Sequence, residues 1–279
     1  MADAAPASPA SRSAGAQRIG AAFADARLQG RAALMPYMMG GFPDPGASRR
    51  IARAYADAGA DLVELGVPFS DPLADGPVIH AAATTALEAG ADLDSALAAC
   101  AEVSAEVPVI AMCYSNMILA TGPDEFASRL AAAGAAGAIV PDLPLGEGEE
   151  IRDAMAAHDL AVVPLIAPTT PAERRREICR SAQGFVYLVS TVGVTGERAE
   201  LPPELAQLVE SAREEAEVPV AVGFGISTPE QVASVAAIAD GVIIGSRLVR
   251  EVQDAGDAEA AASAVSRFLR GAREALAKG

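Results

Sequence analysis

The chain contains no tryptophan and, among its 279 residues, a single lysine, Lys278, beside the C-terminus. It has two histidines, His80 and His158, and three cysteines, Cys100, Cys113 and Cys179. Each scarcity excludes a chemistry. Without a lysine in the body of the chain, a Schiff-base aldolase or a covalently held pyridoxal phosphate has no amine to use. Two histidines this far apart do not make a His- or Cys-rich zinc cage, so no metal centre is expected. The cysteines are odd in number and never in C-x-x-C spacing, which favours a reduced cytoplasmic setting over a disulfide framework. Positive charge is short as well: 21 Lys and Arg against 37 Asp and Glu give a formal charge of -16. That balance disfavours nucleic acid and anionic membranes as partners, while leaving room for a local anion site built from backbone amides. The N-terminal twenty residues lack a continuous apolar stretch, and no segment reaches the roughly 18 apolar residues of a membrane span.

What the chain has is aliphatic. Hydrophobic residues make up 51% and aromatics only 4%, so the core must come from Ala, Val, Leu and Ile. Residues 1 to about 18, rich in Ala, Ser and Pro, read as a flexible tail, and 19–279 as a single domain. Eight apolar runs follow: ALMPYMM, DLVELGV, VPVIAMCY, AGAIVPDL, AVVPLIAP, GFVYLVS, VPVAVGFGI and DGVIIGSRLV. Between them lie Ala-rich amphipathic stretches, several ending in Gly-Ala as a helix C-cap would. Near-continuous apolar strands alternating with helices imply parallel strands buried on both faces. Eight such units in about 250 residues match a (β/α)8 TIM barrel. A doubly wound open sheet competes, but no G-x-G-x-x-G follows the first strand.

In such a barrel, functional side chains come from the C-terminal strand ends and the loops beyond them. The second run, with the loop after it, LVELGVPFSDPLADGP, carries three carboxylates: Glu64, Asp71 and Asp75. Alternation puts Leu62, Glu64 and Gly66 on one face. Facing the helices, Glu64 is a buried acid satisfied by donors. Facing the barrel mouth, with Gly66 leaving space, it is placed as a general acid/base. Prolines 68, 72 and 77 shape the loop. Asp75, eleven residues beyond Glu64, can fold back over the mouth, and two carboxylates in different environments can divide acid, base and orienting roles. Asp71 reads as an ordinary turn residue.

A second constellation lies toward the C-terminus. VGFGIS contains Gly225, and Ser227 with Glu230 fits a capping box. IIGSRLV places Gly245 and Ser246 before another helical stretch. STVGVTGE, after the sixth strand, adds Gly193 and Gly196. Helix N-termini bind phosphate without lysine, and the loops after strands seven and eight are the usual phosphate site of these barrels. His80 reads as a loop or helix-start residue, and Arg174–Arg176 as a solvated helix face. What remains is carboxylate-driven acid/base chemistry on a small phosphorylated molecule.

Taken together, VELGVPFSDPLADGP, GGFPDPG, YSN, PDLP, YLVSTVGVTG, GFGIS and IGS, in this order, closely resemble the tryptophan synthase alpha subunit family from about residue 19 onward. The resemblance implies a (β/α)8 barrel that cleaves indole-3-glycerol phosphate to indole and glyceraldehyde 3-phosphate by a retro-aldol reaction. It implies that Glu64 shuttles protons between indole C3 and the glycerol hydroxyl, and that Asp75 accepts a hydrogen bond from the indole N–H. It places Tyr187 beside the catalytic Glu, Gly196, Gly225, Gly245 and Ser246 at the phosphate, and Thr195 on a loop that closes over Asp75. It implies no cofactor on this chain. Its partner is a pyridoxal-phosphate beta subunit, in an alpha2beta2 tetramer, met through GGFPDPG, SDPLADG and PDLP. The chain departs from many members at Thr191, where they carry arginine.

Overall fold

The computed structural model describes residues 12–189, 204–223 and 225–276. All its strands are parallel: β1 (Ala33–Met39), β2 (Val63–Gly66), β3 (Val109–Met112), β4 (Gly137–Ile139), β5 (Ala161–Val163), β6 (Leu165–Ile166), β7 (Val186–Val189), β8 (Val220–Gly223) and β9 (Gly241–Ile244). They are hydrogen-bonded in the order β5-β4-β3-β2-β1-β9-β8-β7-β6. The two ends of that order are the halves of the fifth apolar run, AVVPLIAP. Pro164 between them has no N–H to give to a ladder, but its carbonyl accepts from the Tyr187 amide at 3.0 Å. The split strand therefore pairs with β4 through one half and with β7 through the other. Eight runs close into the expected (β/α)8 barrel.

Helices cover the outside as the pattern requires. Pro45–Asp57 starts on Asp44, whose carboxylate accepts from Ala47 N at 2.9 Å, and has Pro45 in its first turn, where a missing N–H costs nothing. The expected glycine stops are present: Gly59, Gly90 and Gly134 take φ of 88°, 83° and 80° after their helices. TALEAGADLDSALAACAEV, one amphipathic stretch in the sequence, is two helices, Pro77–Glu88 and Leu93–Val103. Gly90 ends the first, and an Asp92–Ser95 capping box starts the second.

The N-terminal boundary also differs from the sequence expectation. A helix runs Ala14–Leu28, capped by Ser13, so residues 14–18 belong to it and not to a tail. Its apolar face lies under the barrel. Ile19 and Phe23 are buried, and Phe23 packs on Phe185 with ring centroids 5.5 Å apart. Gly15 sits so close to Ala136 that an added Cβ would lie 1.8 Å from its carbonyl oxygen. Alanine-rich polarity hid this amphipathic face. Residues 1–11 lie outside the described residues. Among the described residues, no helix is long and apolar enough to cross a membrane.

Candidate active site

β2 and β7 lie four steps apart in the strand order, on opposite sides of an eight-unit barrel. The Tyr187 hydroxyl on β7 nevertheless donates to the Glu64 carboxylate on β2. That bond must cross the lumen, so Glu64 faces inward. Its neighbour in the ladder, Tyr37 of β1, pairs with it in register. Gly66, two residues on, makes room for the Tyr37 ring, since a Cβ there would lie 2.1 Å from the Tyr37 hydroxyl. Gly223 does the same for Tyr187, at 2.4 Å. The space beside Glu64 expected from Gly66 is therefore filled by a tyrosine. Tyr55, on the helix Pro45–Asp57, donates to the Tyr37 carbonyl at 3.0 Å and braces that strand from behind.

Glu64 is 1% exposed. Burial, with the Asp75 charge nearby, pushes its carboxyl up to about 8, against the lowering effect of the Tyr187 hydrogen bond. A carboxylic acid so tuned holds its proton near neutral pH and can both give it and take it back. Asp75 sits in the loop after β2 and is half-buried. Its carboxyl is also raised by burial, opposed by a 3.0 Å hydrogen bond from the Tyr114 hydroxyl and by the proximity of His80. The two carboxylates thus share one end of the barrel in unlike surroundings. Asp71 does not join them: it is exposed and accepts a short hydrogen bond from Ser70. His80 is exposed in the first turn of Pro77–Glu88.

The C-terminal constellation lies beside the first. β9 is hydrogen-bonded to β1, and a Cβ added at Gly245 would be in ordinary contact with the Tyr37 side chain, at 3.7 Å. Gly245 is the N-cap of helix Ser246–Gln253, with no side-chain cap, so the first-turn amides of that helix are left outside its own ladder. Gly225, after β8, has φ of 80°, a conformation other residues rarely adopt. The cap that follows differs from the expected Ser227–Glu230 box: it is Thr228 with Gln231. Pro229 fixes the first helical φ, which makes the residue before it the cap. Ser227 instead donates through its amide (2.8 Å) and hydroxyl (3.1 Å) to the Gln231 side chain. Thr191, Gly193, Thr195 and Gly196 lie outside the described residues. Arg174 is less solvated than expected, since it donates to the Leu145 carbonyl.

The family model described as tryptophan synthase alpha chain matches residues 23–277. The chain belongs to the tryptophan synthase alpha chain family. The alpha chain of Carboxydothermus hydrogenoformans is 48% identical over 239 residues, spanning 85% of this chain and 90% of that one. That of Synechococcus elongatus is 46% identical over 237 residues, 84% and 89% of the two. Among solved structures, Mycobacterium tuberculosis tryptophan synthase superposes with a TM-score of 0.86 at 36% identity, covering 94% of this chain and 99% of that one. The alpha subunit of Legionella pneumophila gives 0.85 at 35%, covering 94% and 99%.

Beyond the family motifs, sequence reasoning gave no role to Tyr37 or Tyr114. A signal was available. The whole chain has four tyrosines; three surround the two carboxylates, and the fourth, Tyr55, braces one of them. In so aromatic-poor a member of the tryptophan synthase alpha chain family, each tyrosine needed a reason.

Proposed function

We propose that Glu64 and Asp75 carry out the reaction of the tryptophan synthase alpha chain family on this chain: cleavage of indole-3-glycerol phosphate to indole and glyceraldehyde 3-phosphate, in tryptophan biosynthesis. The observation that carries this reading is the inward-facing Glu64, held by Tyr187 across the lumen and pushed up to about 8, with Asp75 beside it. Neutral Glu64 gives its proton to indole C3. Asp75 accepts a hydrogen bond from the indole N–H and stabilises the cationic ring so formed. The C–C bond to the glycerol chain then breaks, its electron pair restoring the aromatic ring. The carbinol hydroxyl becomes the aldehyde, and its proton returns to Glu64. Protons balance, and the ring itself is the electron sink, which fits a chain without a core lysine.

The phosphate is assigned to Gly225, Gly245 and Ser246, with Gly196 and Thr195, outside the described residues, assigned to the substrate by the family resemblance alone. Gly245 borders Tyr37, which supports a single substrate spanning both constellations. Pyridoxal phosphate belongs to the beta subunit, with which the alpha chain partners. The loops carrying GGFPDPG, SDPLADG and PDLP are assigned as the contact surface of an alpha2beta2 tetramer, and exposed Leu73 in the second of them supports this.

The test is indole release from indole-3-glycerol phosphate, by the chain alone and with a beta subunit. Glu64→Gln should lose about 100-fold to 10,000-fold in kcat, the usual weight of a positioned acid/base, and Asp75→Asn at least 100-fold. Near-wild-type turnover by either variant would overturn the assignment.

A further inference from the structure

We infer that Tyr114 is a positioning residue for Asp75, holding its carboxylate where the indole N–H must meet it. The inference rests on the role proposed for Asp75 above. Tyr114 is the last residue before helix Ser115–Thr121, at the C-terminal end of β3, and is 4% exposed. Its hydroxyl makes two bonds to consecutive residues of the neighbouring loop. It accepts from the Ala74 amide at 3.1 Å and donates to Asp75 Oδ1 at 3.0 Å. Gripping a carboxylate together with the backbone one residue earlier sets the orientation of the carboxylate, not only its location. An amide donating to the phenol oxygen also makes the phenol a better donor.

Tyr114 is itself braced. Its ring lies against Phe69, centroids 5.5 Å apart. Ser115, the next residue, donates through its amide (2.9 Å) and hydroxyl (2.7 Å) to Asp142, beyond β4. Through the adjacent residues Ser115 and Tyr114, hydrogen bonds therefore tie the loop after β3 to the loops after β4 and β2, and one of them ends on Asp75. None of these residues needs to touch substrate for the arrangement to matter, because sub-ångström placement of a charge-stabilising group decides how strongly it acts.

The remaining charged and titratable groups around this contact are Glu64 and Tyr37 from the barrel interior, His80 from the following helix, and Asp142 beside Tyr114. Among the described residues, the Tyr114 hydroxyl hydrogen-bonds the ionised Asp75 side chain and so favours its charged form.

Tyr114→Phe keeps the ring on Phe69 and removes only the hydroxyl. Measured on the full chain, with beta subunit present, it should lower kcat/KM about tenfold to a hundredfold. The acid limb of the kcat/KM profile should move to higher pH, since ionised Asp75 loses a donor. Added to Asp75→Asn, it should change the rate less than about twofold, because the group it positions is already altered. A limb at the wild-type pH, or losses that multiply in the double variant, would overturn the inference and make Tyr114 merely structural. Near-wild-type activity of Asp75→Asn alone would instead overturn the function proposed for the site.

Discussion

Asp61 and Glu64 are three residues apart on the same segment, yet they face opposite fates. Asp61, at the N-terminal end of β2, accepts two hydrogen bonds from Arg31, at 2.6 and 2.8 Å, and one from the Leu34 amide at 2.8 Å. The Arg31 side chain is 4% exposed and the Asp61 side chain 12%, and Arg273 approaches to 3.6 Å. Glu64, three residues further, has no such cation among the described residues; it has a tyrosine hydroxyl and a second carboxylate. Asp240 repeats the Asp61 pattern before β9, bonded to Arg213 and to the Val220 amide at 2.9 Å. At the bottom of the barrel Asp61 and Asp240 are neutralised by arginine and tied to the preceding strand's backbone. At the top, among the described residues, Glu64 and Asp75 have no arginine against them. The difference teaches how one scaffold can hold together at one end and carry buried, protonatable acids at the other, the division of faces that barrels of this kind show.

The comparison can be broken by swapping what each acid does. Asp61→Asn strands the Arg31 guanidinium in a buried place and should destabilise the fold by about 3 kcal/mol or more. It should appear as a lower urea midpoint at unchanged slope, while kcat for indole release stays within a few-fold. A dead but fully stable Asp61→Asn protein would erase the distinction between the two ends.

Glu64→Gln should act in the opposite sense on stability. A carboxyl at about 8 in the folded chain and 4.5 unfolded keeps its proton longer when folded. Its burial therefore leaves stability intact below about pH 4.5 and erodes it as pH rises toward about 8, by up to about 1.4 kcal/mol per pH unit. Above that range the loss is complete and flat. The Gln variant should lack this slope and exceed the parent in unfolding free energy at neutral pH. Parallel pH profiles of the two proteins would show that Glu64 is not desolvated as described.

The smallest effect belongs to Arg213→Ala. That side chain is 44% exposed, so its loss should cost about 1 kcal/mol or less. A loss as large as that at Asp61 would show that exposure does not separate the two pairs.

Much of this was readable before any coordinates. The eight apolar runs, the parallel barrel, the nearness of Glu64 to Asp75 and the glycine stops follow from local pattern, because period-two burial, turn chemistry and a long motif are properties of neighbouring residues; the fifth run, expected as one strand, is two. The helix at Ala14–Leu28 was missed because alanine gives a weak amphipathic contrast. The Thr228 cap was misplaced by one residue because Pro229, not the Ser-x-x-Glu spacing, sets where that helix begins.

The sequence by itself determined that an acid would be buried mid-strand, that no core lysine would be available, and which loops would be glycine-rich. Only the tertiary structure decided that Glu64 faces the lumen, because strand alternation offers two faces and does not say which is inside. It brought Tyr187 to Glu64 from four strands away, a pairing that the sequence carried only through its family resemblance, and Tyr114 to Asp75 across 39 positions of chain. The first contact depends on barrel closure through Pro164 and the second on the pairing of β2 with β3, long-range events that no window of sequence contains. The acid is local; its proton affinity and its aim are set by what closure brings to it.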